Sequence, residues 1–457
     1  MRKNLQHIQL NRGTVEADQN HPEHVDFGAG FAPYLRGINA SMYTRKPWEI
    51  KQYNSIDSLG INNVEDMKTL LFNKSHVSES ICIDIDHNLL SVMAFLIAGA
   101  QEEDILPELL LGTLKFDIYK IIEGNSTPVP TLFKTLFDIL EYNASNLPNF
   151  CEVTLSGSGL QEAGTSVDVE LAYTLASGLE YIRAGVASGQ KVDYLAQHLS
   201  FSWSVGMEYF TEVAKMRAAR MLWAKLMKQF APKDEKSLAM RIHSQTSISN
   251  LAETDPYNNV GRICTEAFAA AFGGNQSLQT FAYDEATGQP SEVGTQLAYN
   301  TQLFLQEETK ITKTVDPWAG SNHIESLTDE ITQNTWRLIE KIEASGGFLK
   351  LIEAGIPQQR VSDAIAMKKA QKENGEAIVV GVNKYKYIKD TPAPYTSGEN
   401  KQPQATDLKE RNIDALEKAL NAIVQTAQSG NVNLLTLVIE AARNGATTEE
   451  LNSAINN

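Results

Sequence analysis

The chain has 457 residues, enough for about three domains at ~150 residues each or for one α/β barrel with helical attachments. Lys and Arg number 40 against 56 Asp and Glu, and the resulting charge of −16 excludes a basic nucleic-acid or anionic-membrane surface, because phosphates would be repelled. A hydrophobic fraction of 42% with 21% charged residues is enough to bury a core and excludes global disorder.

Met1 to His7 shows no apolar h-region, so no secretory signal is expected. Residues 1 to about 40 are polar with no helical period and read as an extended arm. From Asn63 onward, strand-like runs alternate with amphipathic helices. The strands expected are Ile81–Ile85, Leu110–Leu114, Glu152–Leu155, His198–Trp203, Leu238–His243, Ser277–Phe281 and Ile311–Val315. The apolar run Leu89–Ala100 is too short to span a bilayer and reads as a buried helix. Apolar residues at three- and four-residue steps predict a long helix over Met207–Phe230. Strands alternating with helices mean βαβ units and a parallel sheet, and seven such units in one run suggest a barrel, which would ordinarily have eight. From Leu327 the pattern is helical only. A Pro/Ser/Gly/Asn tract from Asp390 to Gln404 reads as a linker, and 406–457 reads as two or three short helices. The organisation expected is an arm over 1–45, a TIM-type barrel over 46–345, a helical segment and linker over 346–400, and C-terminal helices over 401–457. Cys82, Cys151 and Cys264 are widely spaced and form neither a disulfide framework nor a Cys-x-x-Cys metal site, which fits a reducing cytoplasm.

In a barrel, chemistry sits at the C-terminal ends of the strands. Asp86-His87 lies at one such end, but no second His or Cys stands at ligand spacing, so a polar strand end is the better reading. Ser156-Gly157-Ser158-Gly159 misses both the nucleophile-elbow and the phosphate-loop patterns and reads as a flexible turn. His243, beside Gln245, reads equally as a hydrogen-bonded core histidine or as a functional one. Composition and spacing alone yield a βα barrel with a polar mouth and no identifiable reaction.

Longer stretches carry a resemblance. Phe31-Ala32-Pro33-Tyr34-Leu35-Arg36-Gly37, Lys46-Pro47-Trp48, Gln161-Glu162-Ala163-Gly164 and Ala214–Lys225 belong to it. So do His243-x-Gln245-Thr246-Ser247, Asp255–Val260, Val315–Ser321 and Val380–Tyr385. Over nearly its whole length the chain resembles the barrel of the adenosylcobalamin-dependent methylmalonyl-CoA mutase family. The resemblance implies a TIM barrel threaded by the pantetheine arm of a CoA ester. It also implies a flavodoxin-like domain that brings adenosylcobalamin to the mouth, where a radical 1,2-shift interconverts methylmalonyl-CoA and succinyl-CoA. The cofactor carries the hard step and the protein positions and shields it.

Against that pattern, the Asp-x-His-x-x-Gly motif that supplies the cobalt ligand does not occur in this sequence. Several dozen residues between Tyr53 and Val64, including the family's first barrel strand, are reduced to Asn54–Asn63, so one strand is expected to be missing or displaced. Gly159 stands where the resemblance implies a pocket histidine, and Lys115 where it implies a glutamine. No Arg lies between Arg45 and Arg183 to pair with a substrate carboxylate. The positions that hold are Tyr53, Thr113 and Ser200 on the substrate and CoA side, with Glu162, Gln245 and Glu285 on the cofactor side. The resemblance therefore implies no catalytic residue and no metal ligand here. The leading expectation is a non-catalytic subunit of a methylmalonyl-CoA mutase, bound to a catalytic, cobalamin-binding subunit as a heterodimer. The alternatives are an active acyl-CoA mutase subunit of altered specificity using cobalamin carried on a separate chain, an acyl-CoA binding module in which Lys46 and Lys51 hold CoA phosphates, and a decaying duplicate of the large subunit.

Overall fold

Strict polar–apolar alternation runs through the central strand sequences, as in Leu199-Ser200-Phe201-Ser202-Trp203-Ser204-Val205 and Thr113-Leu114-Lys115-Phe116. Successive side chains of a strand point to opposite faces, so such a strand has one apolar and one polar face. The computed structural model describes residues 24, 27–56, 60–71, 80–124, 127–288, 290–386, 411–429 and 433–456. In these residues the strands are β1 (Glu49–Ile50), β2 (Tyr53–Ile56), β3 (Ser80–Asp84), β4 (Gly112–Asp117), β5 (Glu152–Ser156), β6 (Leu199–Val205), β7 (Ile242–Thr246) and β8 (Ser277–Gln279). They form one parallel sheet in the order β1-β8-β7-β6-β5-β4-β3-β2.

The first two strands are consecutive pieces of one stretch. Glu49 and Ile50 pair with Ser277 and Leu278, and Tyr53–Ile56 pair with Ser80–Ile83. Between them the Lys51 amide still donates to the Leu278 carbonyl at 3.0 Å. Both outer positions of the sheet thus belong to residues 49–56, and the sheet curls to serve them. This is a correction to the expected strands. Ile311–Val315 is not a strand; Ile311–Lys313 is a 3-10 turn entered through Lys310 in the left-handed region (φ 59°). The edge it would have paired with is taken by Glu49–Ile50. The other expected strands are present with shifted ends, the largest shift moving Leu238–His243 to Ile242–Thr246.

The helices that cover the sheet are α1 (Val64–Leu71), α2 (Leu89–Glu102), α3 (Ile118–Gly124), α4 (Val129–Asn146), α5 (Ser158–Glu162), α6 (Val167–Ala187), α7 (Val192–Gln197), α8 (Tyr209–Met227), α9 (Asn259–Gly273), α10 (Glu292–Glu307) and α11 (Asn322–Ala344). Helix α2, expected as buried, is buried from Leu89 to Ala100 because α1, α4 and the later helix Leu435–Arg443 pack against it. The apolar sheet face meets α6 and α8 through Phe201, Trp203 and Trp223, with the Phe201 and Trp223 rings edge-to-face at 4.8 Å. Such a pair adds about 0.5–1.5 kcal/mol beyond the area it buries. After the sheet come α12 (Phe348–Glu353), α13 (Ile356–Glu373), α14 (Ile413–Ser429), α15 (Leu435–Arg443) and α16 (Thr448–Asn456). The last three match the expected short C-terminal helices. They dock on the α1–α2 side, where Thr448 donates to the Ile61 carbonyl (2.8 Å) and Asn452 to Asn88 (2.6 Å). The expected linker over 390–404 and most of the expected arm lie outside the described residues.

A buried ion cluster fastens the N-terminal stretch to the helices. Arg217 on α8 grips Glu325 with two bonds of 2.8 Å and also pairs with Asp316. His24 reaches Glu325 at 3.1 Å. Arg220, one turn on, donates to the carbonyls of Tyr34 (3.0 Å), Leu35 (2.8 Å) and Gly273 (2.7 Å). No helix among the described residues is long and apolar enough to cross a membrane, and no group of three potential metal ligands occurs among them.

Candidate functional site: a hydroxyl-lined face and its charged lip

Barrel interiors are ordinarily filled by bulky branched side chains. Here the inner face carries small polar ones. Thr113, Thr154 and Ser200 form a chain across β4, β5 and β6, with oxygen–oxygen distances of 2.8 and 2.9 Å. Ser158 meets Ser202 at 3.3 Å, and His243 Nδ1 meets Ser277 Oγ at 2.9 Å. Buried hydroxyls are costly unless bonded, and the parallel register supplies partners by setting Thr154 opposite Ser200 and His243 opposite Ser277. Burial, with the charges of Lys51 and Lys115 added, pushes the His243 imidazole down to about 3, so it is neutral at ordinary pH. His243 is thus a hydrogen-bonded, inward-facing histidine.

At the C-terminal ends of β3 and β4 the face ends in charges. Lys115 Nζ stands 3.5 Å from both Asp84 and Asp117, and Lys120 reaches Asp84 at 2.6 Å. Burial works to lower the Lys115 pKa, but Asp117 and Asp84 outweigh it and hold the ammonium above the ordinary lysine value. Asp117 also accepts from the Tyr119 amide at 3.0 Å, capping the start of α3. Beside this lip lies Gly159 on α5. A Cβ there would fall 2.5 Å from Tyr119 Cβ and 2.9 Å from its Cγ, so Tyr119 fills the room of any side chain at 159.

The ends of β5, β6 and β7 form a second polar group. Both Glu162 oxygens are taken by the chain itself: Oε1 accepts from Ser204 (2.8 Å) and the Ile248 amide (3.2 Å), and Oε2 from Ser247 (2.9 Å) and the Ser249 amide (2.8 Å). Gln245 donates to the same Ser204 hydroxyl at 3.2 Å. Behind them Lys215, fully buried, pairs with Glu170 (3.1 Å) and Glu212 (2.6 Å) and donates to the Ser204 carbonyl (2.8 Å). Burial raises Glu170 against the pull of Lys215, and it pushes Glu266, held by Asn250 and the Ser247 amide, up to about 8. Helix α13 roofs this end over a cavity of about 1270 Å³ whose walls include Glu170, Glu212, Arg262, Arg360 and Lys368. Lys368 crosses to the Glu162 carbonyl and to Ser249, each at 2.9 Å. Gly164 permits that approach, since it lies at φ +88° and a Cβ would sit 2.7 Å from the lysine chain.

The expected site residues therefore fall into separate groups. Thr113 and Ser200 are joined through Thr154, and Glu162 and Gln245 through Ser204. Glu285 lies apart, half-buried and accepting from the Ala282 amide at 3.2 Å, and burial raises its pKa. Tyr53 lies in β2, but its side chain lies outside the described residues. Thr154, Ser202, Ser204, Tyr119 and Lys368 were not singled out by sequence. The first three were readable from the period-2 alternation, which places a polar side chain at each inward position of β5 and β6.

A curled parallel βα sheet with a hydroxyl-lined face and charged groups at the C-terminal strand ends defines an α/β protein of partial-barrel type. A profile of the methylmalonyl-CoA mutase family matches residues 3–59 and 56–457. The chain is 37% identical to the methylmalonyl-CoA mutase large subunit of Porphyromonas gingivalis, over 94% of this chain and 68% of that one. It is 36% identical to the methylmalonyl-CoA mutase of Escherichia coli, over 96% and 70%, and 36% identical to the human mitochondrial methylmalonyl-CoA mutase, over 93% and 64%. It spans about two thirds of the length of these relatives. The chain belongs to the methylmalonyl-CoA mutase family.

Proposed function

We propose that the chain is a subunit of a methylmalonyl-CoA mutase, that its curled sheet is a TIM-type barrel of seven strands with residues 49–56 as one strand, and that it serves as the non-catalytic partner of a catalytic, cobalamin-binding chain in the cytoplasm. The observation that carries this reading is the commitment of the groups beside Gly159 to one another. Tyr119 occupies the space beside Gly159, and the Lys115 ammonium is spent on Asp84 and Asp117. A transition state that needs donors aimed at a developing charge finds none pre-organised there. The family's cofactor, adenosylcobalamin, supplies homolytic radical chemistry when bound. The residues expected to face it do not fit that task, because both Glu162 oxygens and the Gln245 amide are turned onto Ser204 and the 247–249 loop. That relatives are named as large subunits supports a multi-subunit setting.

A second reading, an active acyl-CoA mutase subunit of altered specificity using cobalamin carried on a separate chain, is favoured by the hydroxyl-lined inner face, which keeps a polar path for a pantetheine arm. Two experiments separate the readings. Mixed with a catalytic large subunit, the chain is expected to elute from a sizing column as a stable heteromer. Supplied with adenosylcobalamin, a cobalamin-binding chain whose own barrel is inactivated, and methylmalonyl-CoA, it is expected to show no turnover. Failure to co-elute, or turnover in the second assay, overturns the non-catalytic reading.

A further inference from the structure

The lip of the inner face is a balanced set of four charges. Lys115 and Lys120 bring two ammonium groups; Asp84 and Asp117 bring two carboxylates. Asp84 holds the central place, with Lys120 at 2.6 Å and Lys115 at 3.5 Å, and its side chain is only 10% exposed. Asp117 cannot swing away to free Lys115, since its other oxygen caps α3 at the Tyr119 amide. The remaining ammonium whose field reaches His243, that of Lys51, stands 4.0 Å from Glu49. Lys115 stays protonated over the whole working pH range. Each of these lysines therefore already faces a carboxylate of the chain. A guest carboxylate would have to sit beside Asp84 and Asp117, paying like-charge repulsion with no cation newly released to offset it. An uncharged acyl group meets no such penalty.

We propose that Asp84 sets the ligand class of the acyl end by occupying the seat of a guest carboxylate, so that the site takes the CoA ester of an uncharged acyl group and excludes one ending in a free carboxylate. The inference rests on the acyl-CoA reading of the inner face given above, and it holds whether or not the chain turns its ligand over.

Titration calorimetry on the full-length chain tests it with butyryl-CoA and succinyl-CoA, which share a four-carbon acyl skeleton and differ at its end, and with free CoA as reference. Butyryl-CoA is expected to bind at least about tenfold more tightly than succinyl-CoA. Asp84→Asn removes one charge at nearly constant volume and takes from both lysines the carboxylate they share. It is expected to raise succinyl-CoA affinity by about tenfold or more while moving butyryl-CoA by less than about threefold. Lys115→Gln works in the opposite direction and is expected to widen the preference for butyryl-CoA, which keeps the test available if Asp84→Asn fails to fold. Equal affinity of the two esters in the wild type, or a ratio unmoved by these variants, overturns the proposal and leaves the acyl-CoA reading standing. Absence of binding by both esters and by CoA overturns the acyl-CoA reading itself, and the proposal falls with it.

Discussion

Two charge clusters in this chain use the same side-chain chemistry in different settings. Arg217, Asp316 and Glu325 lie between α8, α11 and the N-terminal stretch, with side chains 1%, 6% and 3% exposed. Lys115, Asp84, Asp117 and Lys120 lie at the lip of the inner face, and the Lys120 side chain is 53% exposed. The first cluster is almost wholly withdrawn from solvent and holds elements together. The second includes the half-exposed Lys120 and can exchange partners. The contrast shows that an ion pair acquires ligand-binding potential from what lies beyond it, not from its own geometry.

The largest expected effect tests the first half of that contrast. Arg217→Ala leaves Asp316 and Glu325 to the longer contacts of Arg36 (3.8 and 3.9 Å) and Glu325 to His24, and is expected to cost about 3–5 kcal/mol in denaturant unfolding. Asp84→Asn at the half-open lip is expected to cost less than about 2 kcal/mol. Equal losses would break the comparison. The same helix-side cluster predicts acid sensitivity. Burial opposes it, but His24, Arg217 and the Gly320 amide together hold Glu325 down at about 2. Its stabilisation is thus present above the ordinary glutamate range and lost as pH falls toward 2, by up to about 3 kcal/mol, and a Glu325→Gln variant should lack that acid limb.

Glu266 gives an effect of opposite sign. Burial raises it to about 8, so it favours the folded state when protonated, and that contribution is lost as pH rises through 8. Wild-type stability should decline by up to about 4 kcal/mol from pH 5 to 9, and Glu266→Gln should flatten the decline. Next in size is the packing beside the lip. Gly159→Ala is expected to cost about 1–3 kcal/mol by overpacking against Tyr119, and Tyr119→Gly in the same chain should recover most of it. Additive losses in that double-mutant cycle would show that the two positions do not meet. Smallest is Lys368→Met, which removes two hydrogen bonds over the 1270 Å³ cavity. It should cost about 1 kcal/mol or less and appear as faster hydrogen exchange along α13.

Much of this architecture was legible in the chain. The βα alternation, the buried helix at Leu89 and the helical C-terminal third all follow from periodicity, because burial imposes a period of 2 or 3.6 on any sequence. The first strand was not legible. Glu49-Ile50-Lys51-Gln52-Tyr53-Asn54-Ser55-Ile56 is short of apolar residues, and its strand state comes from two partners distant in sequence. Ile311–Val315 misled for the converse reason: it alternates well but has no edge left to pair with. At the site, Thr113 and Ser200 could be named from resemblance, but their joining through Thr154 depends on register. Tyr119 against Gly159 could not be foreseen, since nothing local says that the first turn of α3 lies on α5.

The stretch from Glu49 to Ile56 has a kinetic consequence. It touches residue 80 on one side and residue 277 on the other, so both of its pairings can be in place only after most of the polypeptide has left the ribosome. Until then β8 and the leading segment both offer bare hydrogen-bonding edges to neighbouring chains. A subunit assembled in this order is most vulnerable to mispairing late in synthesis, and a partner present at that stage would shorten the exposure.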